Sequence, residues 1–120
     1  MEIYIATVFA KPGHEADVTK FYQEQEEQLK AARGFRSRQI LRARPGTMAE
    51  AVKKVLSQEE IDRHSEAAGP DGTHFVIVES WDSIDERMTY SRSIDGGRMQ
   101  HLIPHLLPEH THEYYEDVTR

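Results

Sequence analysis

The chain has 120 residues, a formal net charge of −6 and no cysteine. This length suits one domain, and a domain of this size can bury roughly two thirds of its unfolded surface. Without cysteine, disulfides, thiolate catalysis and cysteine-ligated metal sites are excluded. The acidic balance argues against general nucleic-acid binding, which needs Lys and Arg to neutralise phosphates.

The N-terminal residues and the apolar runs favour a cytoplasmic protein. Glu2 stands where a secretory signal would carry a basic residue. No apolar run approaches the ~20 residues of a membrane span. We therefore expect a cytoplasmic protein that makes no membrane contact.

The first half of the chain is predicted to form a strand, a helix and a second strand. Residues 2–10 are rich in β-branched and aromatic types, and both faces of the strand are apolar. Residues 14–33 have helical periodicity, which Gly34 ends. Residues 35–44 alternate, which places on one face Arg36, Arg38, Ile40, Arg42 and Arg44.

The second half is predicted to begin with two short helices and a tight turn. The helices fall within residues 47–73, where Ser57 and Glu60 form a capping box, and the turn covers 69–72. A strand over 74–82 follows, and then a helix to about Ser93 that begins at a second capping box, Ser83 with Glu86. Gly96 and Gly97 break this helix. A short helix interrupted near Pro104 and a last strand over 110–118 complete the chain.

The predicted element order is β-α-β-(αα)-β-α-β. This order predicts an α+β fold of ferredoxin-like type, an antiparallel sheet with helices on one face. The strands are apolar on both faces, so the second face of the sheet needs a cover. A second copy of the chain is the simplest cover, and we expect a homodimer.

Four stretches carry a family resemblance: "AKPGHEADVTKFY", "GFRSRQILR", "FVIVESWDSIDERMTYSRS" and "HLIPHLLPE". Over about 2–46 and 74–118 the chain resembles the antibiotic biosynthesis monooxygenase (ABM) domain of the dimeric α+β barrel superfamily. The resemblance implies a single domain over 1–120 with a helical insertion at 47–73. It also implies a homodimer whose sheets pack face to face, and a pocket between each sheet and its helices.

The resemblance further implies an activity. Some members of the family oxidise phenols or quinols with O₂ and no cofactor, and others degrade haem. The asparagine and tryptophan that haem-degrading members use correspond here to Ala6 and Thr89. These departures from the haem-degrading pattern lead us to expect no haem, and we expect no other cofactor. The asparagine of quinone-forming members corresponds to Ile77, so the chain departs from that cofactor-free site as well.

Three residues around the third strand are candidates for substrate chemistry. Glu79 would be a partly desolvated base, or else the ion-pair partner of an arginine on the neighbouring strand. Trp81 would form an aromatic wall for a flat ligand, or else belong to the core. Tyr90 would face the pocket from the following helix, or else pack its ring on the sheet.

The histidines near the C-terminus are a second group of candidates. His101 and His105 have i, i+4 spacing, but Pro104 interrupts that turn, and His110 and His112 share one strand face. Spacing supplies no third ligand, so we expect no metal site. His101 is a candidate general base and His105 a candidate substrate-binding residue, with solvated histidines as the alternative.

These observations favour a cofactor-independent monooxygenase of ABM type that oxidises a small aromatic or quinol substrate with O₂. Glu79 or His101 would remove a phenolic proton, and Trp81 and Tyr90 would hold the ring. The alternative is a non-catalytic dimer that binds a small molecule or a protein partner, with residues 47–73 as the recognition element.

Overall fold

Within residues 1–63, 70–93 and 99–120, the computed structural model contains four strands and six α-helices. The strands are β1 (Glu2–Ala10), β2 (Phe35–Arg42), β3 (Thr73–Trp81) and β4 (Leu106–Tyr115). The helices are α1 (Glu15–Glu24), α2 (Glu26–Lys30), α3 (Thr47–Val55), α4 (Gln58–Arg63), α5 (Ile84–Ser93) and α6 (Met99–Leu102). A 3-10 turn, Ile103–His105, joins α6 to β4.

The four strands form one antiparallel sheet in the order β2-β3-β1-β4. This topology confirms the predicted ferredoxin-like α+β fold. The register aligns residues of all four strands in rows across the sheet. One such row, on the face that the helices cover, is Arg38–Glu79–Tyr4–Tyr114.

The core lies between the sheet and the helices. Alternate residues of β3 are buried, and the largest of them are Phe75, Ile77 and Trp81. Val18 of α1 and Leu102 of α6 are fully buried against this face. The period-2 pattern of β3 therefore places Glu79, which lies between Ile77 and Trp81, among apolar side chains.

The opposite face of the sheet, which we call the open face, is apolar but only half-buried. Val76 and Val78 of β3 lie on it, and Val78 has Ile5 as its register partner on β1. Leu41 of β2 leaves 49% of its surface exposed. A folded chain of this kind keeps an apolar surface that a second layer could cover.

The predicted helix over 14–33 is divided at Gln25, which separates α1 from α2. The Gln25 N–H donates to Tyr22 O at 3.2 Å, a bond across three residues that tightens the turn. The Gln25 side chain is buried and accepts a hydrogen bond from Arg38 at 3.1 Å. Helical periodicity alone did not reveal this break. The second helix ends at Lys30, before the predicted end.

Strict alternation along β2 was also wrong at its first residues. A bulge lies between Phe35 and Ser37, so Phe35 pairs with Trp81 and packs its ring on the indole. The bulge places Arg36 off the sheet face on which Arg38 lies. The Arg36 Nε–H donates to Asp82 Oδ1 at 2.6 Å instead.

The last strand begins at Leu106, four residues before its predicted start. Pro108 therefore lies inside β4, where a proline removes one N–H from the ladder. The fold tolerates this because β4 is an edge strand and the β1–β4 register shifts between Val8 and Ala10.

The capping box at Ser57 is complete, because the Ser57 N–H also donates to Glu60 Oε1 at 3.4 Å, and Ser83 forms the serine half of the second box. Ser57 Oγ accepts from the Glu60 N–H at 3.2 Å, and Ser83 Oγ accepts from the Glu86 N–H at 3.2 Å. The two short helices predicted in 47–73 are α3 and α4. The break predicted at 96–97 and the first residue of the turn at 69–72 lie outside the described residues.

None of the helices that the structure describes is both long and apolar enough to cross a membrane.

Candidate functional site

A cavity of about 370 Å³ lies between the sheet and the helices α1 and α5. Aromatic rings form much of its wall, and they belong to Tyr4, Phe21, Tyr22, Tyr90 and Tyr114. The other polar side chains that line it are Gln25, Arg38, Glu79, Arg87, Ser91 and His112. An apolar cavity with a few convergent polar groups is the usual form of a small-molecule site.

Glu79 is the buried carboxylate of this cavity. Trp81 Nε1–H and Arg87 Nε–H both donate to its Oε1 atom, each at 2.9 Å. The side chains of Glu79 and Arg87 are only 9% and 14% exposed, so water screens the pair weakly. Two donors thus fix one oxygen of the carboxylate, and the other oxygen is the one a ligand could approach.

The ion-pair partner of Glu79 differs from the one predicted. The neighbouring strand does place Arg38 opposite Glu79 in the register. The Arg38 guanidinium instead donates to Tyr22 O at 2.6 Å and to Gln25 Oε1 at 3.1 Å. Because the break at Gln25 engages Arg38, the partner comes from α5, as Arg87.

Arg87 also lies on the aromatic wall. Its guanidinium carbon is 3.3 Å from the centre of the Tyr4 ring and 5.9 Å from that of Tyr114. Burial opposes the charge of Arg87, but the adjacent Glu79 carboxylate outweighs this and raises the pKa of Arg87. The guanidinium is therefore a fixed positive charge at the cavity.

Two tyrosines of the cavity, Tyr4 and Tyr22, are held in their neutral form. Burial raises the pKa of Tyr4, although the nearby Arg87 charge offsets part of the effect. Burial also raises the pKa of Tyr22 far above its ordinary value. The Tyr4 hydroxyl lies 3.3 Å from His112 Nδ1, so it can donate a hydrogen bond at the edge of the cavity.

Trp81 and Tyr90 form an aromatic pair with ring centres 5.6 Å apart. Tyr90 lines the cavity from α5. Trp81 is fully buried behind Glu79, packed against Phe35, and is not among the described residues that line the cavity. The structure therefore places Trp81 in the core, where it supports the carboxylate.

His101 and His105, the two histidines predicted to act in the site, lie outside this cavity. His101 is exposed and lines an adjoining depression with Glu24, Phe21 and Gln25. His105 lies beside His14, with 2.9 Å between their Nδ1 atoms. Neither His101 nor His105 is among the described residues that line the main cavity. The structure thus brings together Glu79, Trp81 and Tyr90, but not the two histidines.

Solved structures of the same fold are numerous, although no protein-family model and no curated protein matches the chain. A Bordetella bronchiseptica protein provisionally assigned to the antibiotic biosynthesis monooxygenases is 16% identical, with a TM-score of 0.64. The match covers 98% of this chain and 97% of that one. This chain has the fold of the antibiotic biosynthesis monooxygenases.

One neighbour with the monooxygenase fold has a named activity. SnoaB from Streptomyces nogalater, solved as an asparagine-to-alanine variant, is described as a cofactor-independent oxygenase. It is 14% identical, with a TM-score of 0.60, and the match covers 99% of this chain and 95% of that one. Another neighbour is a protein of unknown function from Nitrosomonas europaea. It is 15% identical, with a TM-score of 0.56, and the match covers 99% of this chain and 90% of that one.

Sequence reasoning missed several residues of this monooxygenase-fold cavity. Tyr4 and Tyr114 share a sheet row with Glu79, and the alternation of β1 already placed Tyr4 on the face of Ala6 and Val8. With the strand order known, the sequence would have predicted that Tyr4 and Tyr114 lie beside Glu79. Arg87 carries no such signal, because its position depends on how α5 crosses the sheet.

A larger groove of about 540 Å³ lies on the surface between α2 and α5. Tyr90 and Glu86 line it, and Arg33 Nε stands 3.5 Å from the Glu86 carboxylate. Arg33 is almost fully exposed, so this charge pair is solvated. The smaller cavity is the better candidate site, because its charged groups are buried and converge.

Proposed function

We propose that this protein is a cofactor-independent monooxygenase that oxidises a small phenol or quinol with O₂ in the cavity between sheet and helices. The observation that carries the proposal is the buried Glu79–Arg87 pair at the wall of an aromatic cavity. The fold shared with a cofactor-independent oxygenase supports the same class of reaction.

The proposed reaction begins with removal of a phenolic proton by the Glu79 carboxylate. The resulting phenolate is electron-rich and reacts with O₂ directly. For a substrate whose tautomer has a ring CH₂ group, this carbon loses two hydrogens and gains one oxygen atom. The second oxygen atom leaves as water with those hydrogens. All four electrons come from the substrate, so the reaction needs no external reductant.

The cavity provides a partner for each charge in this scheme. Arg87 would stabilise the phenolate, because a fixed cation in a desolvated site acts strongly on developing negative charge. Tyr90 and Tyr22 would stack on the ring. Trp81 would position the Glu79 carboxylate through its 2.9 Å hydrogen bond. His101, in the adjoining depression, is the candidate second base.

We also propose that the active protein is a homodimer joined through the open face, and that α3 and α4 form an insertion in the domain. The half-exposed valines of β3 support the dimer. No residue of α3 or α4 is buried, which supports an addition outside the core.

Oxygen uptake tests the proposed reaction. Purified protein without added cofactor is offered anthrones, naphthols and hydroquinones, and O₂ consumption is recorded. We expect Glu79→Gln to lower the rate by about 10²-fold or more, the usual contribution of a general base. Trp81→Phe, which removes only the supporting donor, should lower the rate less. Glu116→Gln, an exposed carboxylate beyond β4, is the matched control.

The absence of uptake across the panel by folded wild-type protein would overturn the oxygenase. Protein-dependent uptake whose rate is unchanged in Glu79→Gln would overturn the role of Glu79 as the base.

The alternative function is a binding protein without catalysis. The exposed apolar residues Met48 and Val55 of α3 favour this alternative, because they offer a surface to a partner. Calorimetric titration with the same compounds would then detect saturable binding, unaccompanied by O₂ uptake.

A further inference from the structure

Three potential metal ligands converge away from the aromatic cavity, at the junction between the end of β1 and the start of β4. They are His14, Asp17 and His105. Within the part of the chain that the structure describes, this is the one group of three such side chains whose ligand atoms all lie within 4.8 Å of one another.

The spacing of the three ligand atoms suits a small cation. The Nδ1 atoms of His14 and His105 are 2.9 Å apart. Asp17 Oδ2 lies 3.7 Å from the first and 3.5 Å from the second. Tetrahedral zinc, with bonds near 2.0–2.1 Å, separates its ligand atoms by about 3.3 Å. The observed separations lie on both sides of that value, so small side-chain rotations would accommodate the ion.

Backbone contacts hold the three ligands in place before any ion binds. The Lys11 N–H donates to His105 O at 2.9 Å, which ties the end of β1 to the 3-10 turn. The His14 N–H donates to Lys11 O at 2.9 Å, and Gly13 makes this turn with a φ of 84°. Asp17 lies in the first turn of α1, three residues after the N-cap residue His14. The arrangement is therefore largely preorganised.

We propose that His14, Asp17 and His105 bind a divalent transition-metal ion, with Zn²⁺ as the best fit. Two imidazoles and one carboxylate form a typical zinc ligand set, whereas Mg²⁺ and Ca²⁺ prefer oxygen atoms alone. The side chains of His14, Asp17 and His105 are 40%, 52% and 30% exposed, so water can complete the coordination. His14 and His105 are 91 residues apart, so the ion would join distant segments.

The site is separate from the proposed oxygenase reaction. None of the three ligands is among the described residues that line the aromatic cavity. The ion would therefore act as a clip between β1 and β4. A ligand that binds the folded chain alone also raises its stability.

Zinc titration of chelator-treated protein tests the site, with calorimetry for affinity and the thermal unfolding midpoint for stability. We expect one Zn²⁺ per chain and a higher midpoint with zinc. His14→Ala and His105→Ala should each weaken binding at least about tenfold, because loss of even an outer hydrogen-bond partner of a metal ligand weakens binding about 10–100-fold. Asp17→Asn is the milder variant in case a histidine variant does not fold.

The control is His101→Ala, which removes an exposed histidine one helical turn before His105. This variant should keep the wild-type affinity and midpoint. Substitution of Co²⁺ for Zn²⁺ adds a spectroscopic measurement, because four-coordinate Co²⁺ absorbs visible light strongly. Equal zinc affinity in wild type, Asp17→Asn and the histidine variants would overturn the proposal. The absence of binding by wild type at millimolar zinc would overturn it too.

Discussion

The Glu79 carboxylate joins the chemistry and the stability of this protein. It receives one hydrogen bond from β3, through Trp81, and one from α5, through Arg87. A buried carboxylate is costly unless a cation accompanies it. The buried position that would bring Glu79 to a substrate proton therefore also makes the fold depend on Arg87.

Replacement of Arg87 by alanine should expose this dependence. The substitution leaves a carboxylate buried without its cation, so the free energy of unfolding should fall by about 3–5 kcal/mol. Urea denaturation followed by circular dichroism measures the change. Arg92→Ala, on the exposed side of the same helix, should cost under about 1 kcal/mol. Similar losses in both variants would contradict a special role for the buried pair.

At the scale of elements, the contact between α1 and β2 depends on a neutral tyrosine. Tyr22 of α1 is half-buried, and the Arg38 guanidinium of β2 lies 5.6 Å from its ring centre. Burial raises the pKa of Tyr22 above the ordinary value of about 10, so folding favours the protonated form. The stabilisation is complete below that ordinary value. It decreases above it, where the unfolded chain ionises and the folded chain does not.

Tyr22→Phe should therefore reduce the loss of stability in alkaline solution. The free energy of unfolding of wild type should fall as the pH rises above about 10, and the variant should fall less steeply. Urea titrations at a series of pH values measure both slopes. Tyr115→Phe is the control, since Tyr115 is 49% exposed. If Tyr22→Phe and wild type share one slope, the neutral form of Tyr22 contributes nothing.

Much of this element structure follows from local patterns. The alternation of residue types along β3 predicted the third strand. The capping boxes at Ser57 and Ser83 predicted the starts of α4 and α5. The errors arose where a pattern is interrupted. The bulge after Phe35 and the break at Gln25 depend on tertiary contacts with Trp81 and Arg38, which no local period contains.

The candidate site was predictable to the extent that it lies on one strand. Glu79 and Trp81 share a face of β3, so alternation placed them side by side. The Arg87 contact depends on the packing of α5. The contact between His14 and His105 depends on the full topology, because 91 residues separate them. A histidine pattern within one segment could not reveal a cluster that two segments build together.

At the scale of the whole molecule, the open face is the surface through which we propose that two copies pair. Val78→Asp should convert a dimer into a folded monomer, because the charge is solvated in the single chain and buried in the pair. Sedimentation velocity measures the mass of each. Val55→Asp, at a residue of α3 with 79% exposure, should leave the dimer intact. This interface would be ruled out if wild-type protein had the mass of a single chain. It would also be ruled out if the Val78→Asp variant still formed a dimer.

The two edges of the sheet have a consequence for concentrated solutions. The backbone of an edge strand can add strands from other molecules, which is a route to fibrils. Here β2 presents the exposed cations Arg36 and Arg42, and β4 contains Pro108, which lacks the N–H that an added strand would need. Growth by strand addition is thus opposed at both edges. This protein should stay free of cross-β aggregates at concentrations where the proposed dimer has already formed through the open face.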